Sequence, residues 1–328
     1  MEYRKLGRTG LNISPLVLGT VNFGWLTNEE DSFEILDYAM DAGLNFFDTS
    51  NNYNAGKTEE LLGRWFARGG GRREHVVLAT KVYSRPNDWG SSDPVKRDGS
   101  WVGPNDSGLS ARNIRAAVEA SLKRLKTDHI DLYQMHHIDR TVPWEEFWQA
   151  MDVLITQGKV LYVGSSNFAG WHIAAAAEAA KRRNGLGLAS EQSVYNLTNR
   201  MIELEVMDAC IAYGLALLTY SPLAGGRLAG APTDNETGRR RLSSDETAEP
   251  AEAFTALCRD LGHSPADVAL AWVAQSKYVT APIVGPRTLS QLQQNLAALE
   301  ITLDDETLTR LDEIFPGPGG RAPEAYAW

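Results

Sequence analysis

Cysteine is nearly missing from this chain: Cys210 and Cys258 are the only two in 328 residues. Neither stands in a Cys-x-x-Cys or in a cluster with metal-ligand spacing, so a disulfide scaffold and a structural zinc site are both excluded. Both read as reduced packing residues, and no metal is called for. No run approaches the roughly eighteen apolar residues of a membrane span, and Met1-Glu2-Tyr3-Arg4-Lys5 lacks the apolar core of a signal peptide. The expectation is a cytoplasmic protein with no membrane partner. Basic residues are in the minority, 32 Lys and Arg against 42 Asp and Glu for a net charge of −10, which disfavours nucleic acid and anionic surfaces. No Gly-x-Gly-x-x-Gly follows a strand, so a Rossmann nucleotide site is unsupported; Gly69-Gly70-Gly71 follows a helix and reads as its C-cap and loop.

What is present is the composition of a soluble globular protein, 43% hydrophobic and 23% charged, enough to bury a large core. The length exceeds that of the usual domain, but α/β barrels regularly run past about 250 residues as one unit. One domain over 1–328 is therefore expected. Apolar strands near 16–19, 44–48, 76–80, 130–135, 160–164, 187–190, 215–219 and 280–284 alternate with amphipathic helices near 29–42, 58–68, 110–125, 144–157, 170–183, 201–213, 265–275 and 288–298. Extra helices fall near 249–261 and 304–314. Repeated βαβ units in that number close a (β/α)8 TIM barrel rather than an open sheet.

Ahead of the first strand, residues 1–14 alternate as a β-hairpin across Gly7-Arg8-Thr9-Gly10. The first helix opens on Asn28 with acids in its first turn, carries the stripe Phe33, Leu36, Ala39 and Met40, and stops at Gly43. Two inserts, 83–109 and 222–248, follow strands and so project from the rim at the strands' C-terminal ends, where long loops are usually functional. The second holds Arg239-Arg240-Arg241, which reads equally as a solvated patch or a cofactor contact. The tail 316–328 is too rich in Pro and Gly for helix or strand, and Tyr326 and Trp328 suggest either docking on the body or fraying.

Three strands end on chemistry. Leu44-Asn45-Phe46-Phe47 stops at Asp48, with Tyr53 five residues on; Val76 to Thr80 runs into Lys81; Ile130 to Met135 runs into His136. One such residue is more often a buried ion pair or a cap, but in a parallel barrel all strand ends share one rim, where the four could converge. This ordered set resembles the catalytic tetrad of the aldo-keto reductases. The resemblance covers nearly the whole chain: Tyr3 to Leu11, Leu18-Gly19-Thr20, Asp48-Thr49-Ser50 with Tyr53, Thr80-Lys81, Asp131-Leu132-Tyr133-Gln134 with His136, Gly164 to Phe168, Tyr220-Ser221-Pro222-Leu223, and Gly285-Pro286-Arg287 with Gln291 and Asn295.

The resemblance implies that the hairpin plugs the barrel floor and that NADPH lies extended across the rim. Tyr220 would stack on the nicotinamide, Ser166, Asn167 and Gln192 would hold its carboxamide, and Gly19 and Thr20 would border the ring. Ser221, Pro222 and Leu223 would meet the pyrophosphate, and Gly285, Arg287, Gln291, Gln294 and Asn295 the adenosine end. Gln294 departs from the family pattern, which usually has Glu there. Arg287 at a helix start suits a 2′-phosphate and favours NADPH over NADH.

The expected reaction is reduction of a small carbonyl, aldehyde or ketone, with Tyr53 as general acid. A phenol of pKa about 10 donates reluctantly near neutrality; Lys81, held by Asp48, would lower that pKa, and His136 would orient the substrate oxygen. His137 stays outside the site. Trp25, Trp89 and Trp101 are the candidate substrate walls, each with core packing as its alternative and Trp101 above all, and Lys96 or Arg97 could meet a substrate carboxylate. Two other readings stand beside this one. A nucleotide-sugar keto- or enoyl-reductase is suggested by Gly19 to Phe23. A non-enzymatic NADPH-binding subunit like those of potassium channels shares the fold, although this chain starts on the family pattern with no long extension ahead of it.

Overall fold

The computed structural model describes residues 1–86, 103–230 and 248–322. Trp89, Trp101, Lys96, Arg97, the run Arg239 to Arg241, Tyr326 and Trp328 lie outside the described residues.

A two-stranded antiparallel hairpin, β1 (Arg4–Lys5) with β2 (Asn12–Ile13), comes first. Eight parallel strands follow: β3 (Val17–Gly19), β4 (Phe46–Asp48), β5 (Val77–Val82), β6 (Ile130–Met135), β7 (Val160–Ser166), β8 (Leu188–Val194), β9 (Ala216–Tyr220) and β10 (Ala281–Val284). They pair in sequence order, and β10 closes on β3. The helices between and after them are α1 (Glu29–Asp41), α2 (Lys57–Phe66), α3 (Ala111–Leu125), α4 (Trp144–Thr156), α5 (Gly170–Arg182), α6 (Val206–Tyr213), α7 (Ala248–Leu261), α8 (Pro265–Gln275), α9 (Leu289–Ala297) and α10 (Asp305–Ile314). The chain is thus the (β/α)8 barrel that the alternation predicts. Among the described residues no helix is long and apolar enough to cross a membrane.

Strand period two sorts the core. Val17, Phe46, Val77, Ala79, Leu132, Ala216, Leu218, Ala281 and Ile283 point inward and meet Leu6 and Ile13 of the hairpin; Leu18, Phe47 and Leu78 point outward against α1 and α2. The hairpin closes the barrel interior at the end opposite the strands' C-termini. Gly7 makes this possible: its φ is +55°, and a Cβ there would sit 2.5–2.8 Å from Gly214 O, Ala216 N and Ala189 O.

Five elements differ from the sequence expectations. Strands β5, β7 and β8 run further toward the rim, since Lys81 and Val82 still pair with Gln134 and Met135 and Ser166 with Gln192. The helix expected over 201–213 is split into a 3₁₀ turn, Met201–Glu203, and α6. Glu205 breaks it: its φ is −149°, and its carboxylate accepts a 3.1 Å hydrogen bond from Gly170 N at the start of α5. A tertiary contact thereby overrides a helical pattern. In α1 the buried face is Ser32, Ile35, Leu36 and Ala39, with Phe33 and Met40 only partly covered; Ser32 can be buried because its hydroxyl donates to Asn28 O.

The described ends of the first rim insert are tied together by Gly108 N donating to Tyr83 O at 2.8 Å. In the tail, Ala322 N donates to Leu204 O and Arg321 reaches Asp208 and the Tyr278 hydroxyl.

Candidate active site

Asp48, Lys81, Gln134, Ser166, Gln192 and Tyr220 all lie on the inward parity of their strands, near the C-terminal ends. Lys81 is fully buried and spends all three N–H donors. Its Nζ donates to Asp48 Oδ2 at 2.6 Å, Thr49 O at 2.9 Å and the Tyr53 hydroxyl at 3.1 Å. The other carboxylate oxygen, Asp48 Oδ1, accepts from Gln134 Nε2 at 3.0 Å and Gln192 Nε2 at 2.9 Å. A buried ion pair needs such auxiliary donors, because removing two charges from water costs several kcal/mol per ion before they attract. In the sequence Gln134 stands only as part of the Asp131-Leu132-Tyr133-Gln134 motif, with no site role given to it. Its parity gives the signal, an amide two residues before His136 on the inward face of a strand.

Tyr53 sits where β4 passes into a 3₁₀ turn, Tyr53–Gly56, whose Asn54 and Ala55 take left-handed φ of 47° and 57°. That bend lays the phenol over the rim beside His136, edge to face, with ring centroids 6.1 Å apart. Ser50 Oγ lies 3.2 Å from His136 Nδ1, leaving Nε2 as the ring nitrogen open to a ligand. The structure therefore brings the four tetrad candidates together. His137 stacks parallel on His136, centroids 5.1 Å apart, with its other neighbour the Tyr83 ring at 5.6 Å.

Electrostatics in this cluster run against one expectation. Burial raises the Tyr53 pKa, Lys81 pulls it down and Asp48 pushes it up, and the net direction is above 10. The downward pull of Lys81 is present but does not win. Burial likewise lowers Lys81, but Asp48 and Tyr53 outweigh it and the net direction is upward. His136 is driven well below 6.5, by burial first and then by Lys81 and His137. At neutral pH the site thus holds a phenol, an ammonium and a neutral imidazole.

Along the rim, Asn167 has φ of 60° and uses its side chain as a bracket. Its Nδ2 donates to Ser166 Oγ and His136 O, and its Oδ1 accepts from the Tyr220 hydroxyl at 2.8 Å. Asn167 is spent on orienting Tyr220 and Ser166. Gln192 gives both amide protons to Asp48 and Gln134, so only its Oε1 can serve a ligand. Beyond Tyr220, Ser221 and Ala224 carry φ of 57° and 49°, and Gly225 and Gly226 of 69° and 97°, with Ala224 N and Gly226 N donating to Ser221 O and Leu223 O. Thr20 Oγ1 donates to Asp48 O, and Gly19 pairs with Asp48.

At the far end, Nε and Nη2 of Arg287 are buried with no hydrogen-bond partner among the described residues. The residue is anchored through its backbone instead, N to Gln291 Oε1 at 2.8 Å and O from Thr27 Oγ1 at 3.2 Å. It stands just before α9, whose N-cap is Thr288. Gln294 donates to Asp267 and Ser264, which leaves its oxygen as an acceptor; Asn295 is half-buried. Asn22, missed from sequence, donates to Gly285 O at 2.7 Å and ties this loop to the one after β3. Trp25 is 42% exposed on that same loop, so it does not serve as core. Among the described residues no group of His, Cys, Asp and Glu could hold a metal ion.

A family model described as the aldo/keto reductase family matches residues 15–315. The chain is 51% identical to an uncharacterized oxidoreductase, YrpG, of Bacillus subtilis, with the whole of both chains covered. It is 33% identical to a "probable voltage-gated potassium channel subunit beta" of Oryza sativa subsp. japonica, over 99% of this chain and all of that one. It is 32% identical to versiconal hemiacetal acetate reductase of Aspergillus parasiticus, over 96% and 97% of the two chains.

Proposed function

The chain belongs to the aldo/keto reductase family, and from that premise we propose that it reduces an aldehyde or ketone to the alcohol, with NADPH as reductant and Tyr53 as proton donor. The observation that carries this reading is Lys81 Nζ in hydrogen-bond reach of both Asp48 and the Tyr53 hydroxyl inside the barrel mouth.

The residues present fit a dinucleotide. Nε and Nη2 of Arg287, buried beside the start of α9 with no partner among the described residues, suit a phosphate. A bound nicotinamide supplies the hydride that reduces the carbonyl carbon. Tyr53 gives its proton to the carbonyl oxygen, and Lys81 stabilises the phenolate left behind. Asp48 keeps Lys81 charged and aimed. His136 orients the carbonyl oxygen through Nε2, and Tyr220, fixed by Asn167, offers a ring face to the cofactor. Trp25 flanks the mouth as an apolar wall. Absorbance loss of NADPH and of NADH over a panel of aldehydes, ketones and nucleotide-linked keto-sugars tests class and cofactor together. Tight NADPH binding with no turnover across the panel would instead favour a regulatory subunit.

Two expected results follow here. Arg287→Ala should weaken NADPH by one to two decades in Kd, about 1.5–3 kcal/mol for a lost charge-assisted contact, and NADH far less. Equal losses for both, by titration of protein fluorescence, would refute the phosphate role. The second concerns pH. The reacting form needs Tyr53 protonated, and its pKa is displaced upward while that of His136 is displaced well below 6.5. Single-turnover reduction at saturating NADPH should therefore be flat through neutrality and fall only on the alkaline side, at or above about pH 10. A break near pH 7 in that rate would contradict the assignment.

A further inference from the structure

Glu191 is fully buried in β8, one residue before Gln192 and on the opposite parity, so its side chain lies behind the barrel wall rather than in the mouth. It gathers donors from three places. Oε2 accepts from the Ser165 hydroxyl near the end of β7. Oε1 accepts from Phe168 N at 3.0 Å, in the turn after β7, and from the Ser193 hydroxyl at 2.8 Å in its own strand. The turn it holds is the one that carries Asn167 in left-handed conformation, itself tied by its N–H to Gln192 O at 2.9 Å. Among the described residues no cation pairs with it: burial pushes the carboxyl up to about 7, and the hydrogen bonds from Ser165, Phe168 N and Ser193, with the Asn167 N–H, pull against that rise. The titratable groups that feel it are Cys210 of α6 and Tyr220 of β9. A buried acid held without a counter-charge is costly, and core packing alone does not need one.

We propose that Glu191 is a positioning residue for the nicotinamide end of the cofactor, holding the Ser165–Phe168 turn so that Ser166, Asn167 and Tyr220 meet the ring. This rests on the reading that those three residues border the nicotinamide. Glu191 touches no ligand itself. Without it the Phe168 N–H is buried and unsatisfied, the left-handed turn relaxes, and the Asn167 bracket on Tyr220 loosens. The adenosine end, gripped by Arg287 across the rim, does not depend on this turn.

The test compares Kd for NADPH and for 2′,5′-ADP, which lacks the nicotinamide, by calorimetry on the full chain. Glu191→Ala should bind NADPH roughly tenfold more weakly and 2′,5′-ADP within about twofold of the parent. Glu191→Gln, which keeps an acceptor for Phe168 N and Ser193, should regain most of the loss. A general packing role would weaken both ligands together, and that outcome overturns the proposal, as does an unchanged NADPH Kd in Glu191→Ala. If Glu191→Ala does not fold, Glu191→Asp, one methylene shorter with the charge retained, should show the same split at roughly threefold; no change there overturns it equally. A parent protein that binds neither ligand refutes the cofactor reading, and the role of Glu191 falls with it.

Discussion

Tyr53→Phe should lower single-turnover reduction by roughly 10²–10⁴-fold, the range that positioned acid catalysis contributes, while the Kd for NADPH stays within about twofold. Phe keeps the ring and its edge-to-face contact with His136. Lys81 keeps two of its three acceptors, Asp48 Oδ2 and Thr49 O, so the ion pair beneath survives. What disappears is the one proton within reach of both the ammonium and the mouth. The denaturation midpoint should barely move, which separates a lost acid from a damaged barrel. Turnover comparable to the parent would sink the assignment of Tyr53, and His136 could not easily replace it as donor, since burial keeps that imidazole neutral.

The fold was legible because the barrel's first-order signal is crude. A β-rich apolar run followed by an amphipathic helix, repeated, needs no side-chain detail to be read. The ends of the strands were less so. In β7 and β8 the polar residues Ser165, Ser166, Glu191, Gln192 and Ser193 interrupt the apolar pattern, yet they continue the pairing, because each finds a hydrogen-bond partner: Ser165 and Ser193 on Glu191 behind the wall, Gln192 on Asp48 and Gln134 within it, and Ser166 on Asn167. A hydrophobic reading stops where the site begins.

The same physics explains what was legible of the site. Asp48, Lys81 and His136 stand out as an ordered set: each alone at a strand end reads as an ion pair or a cap, but three on one rim do not. Gln134 and Glu191 sit within strands, and only period-two bookkeeping marks Gln134 as facing Lys81's side of the wall. No local pattern would have found Glu191, two of whose three side-chain partners come from another strand and the turn beyond it. Nor could sequence weigh burial against Coulomb attraction at Tyr53. An ammonium beside a phenol lowers its pKa in isolation, but desolvation and the neighbouring Asp48 reverse the net direction here.

Lys81→Met should be the most damaging single change to the barrel as well as to catalysis. It removes the cation from a carboxylate that is 2% exposed and leaves Asp48 with only the two amide donors of Gln134 and Gln192. Breaking one side of a buried pair typically costs about 3–5 kcal/mol, whereas replacing both partners is often close to neutral. The double variant Asp48→Asn with Lys81→Met should therefore recover most of the stability lost in Lys81→Met, though no activity, because the phenolate then has no ammonium beside it. The pH dependence carries the sign of the shift. The folded pKa of Lys81 lies above its ordinary 10.5, so its contribution is complete below that value and is lost as pH rises through the folded pKa. Urea midpoints of the parent should thus decline above about pH 10 from this source, and those of Lys81→Met should lack that part of the decline. A single variant that loses less than about 1 kcal/mol, or a double no more stable than the single, would mean that the Asp48–Lys81 pair is not the desolvated unit on which the site is built.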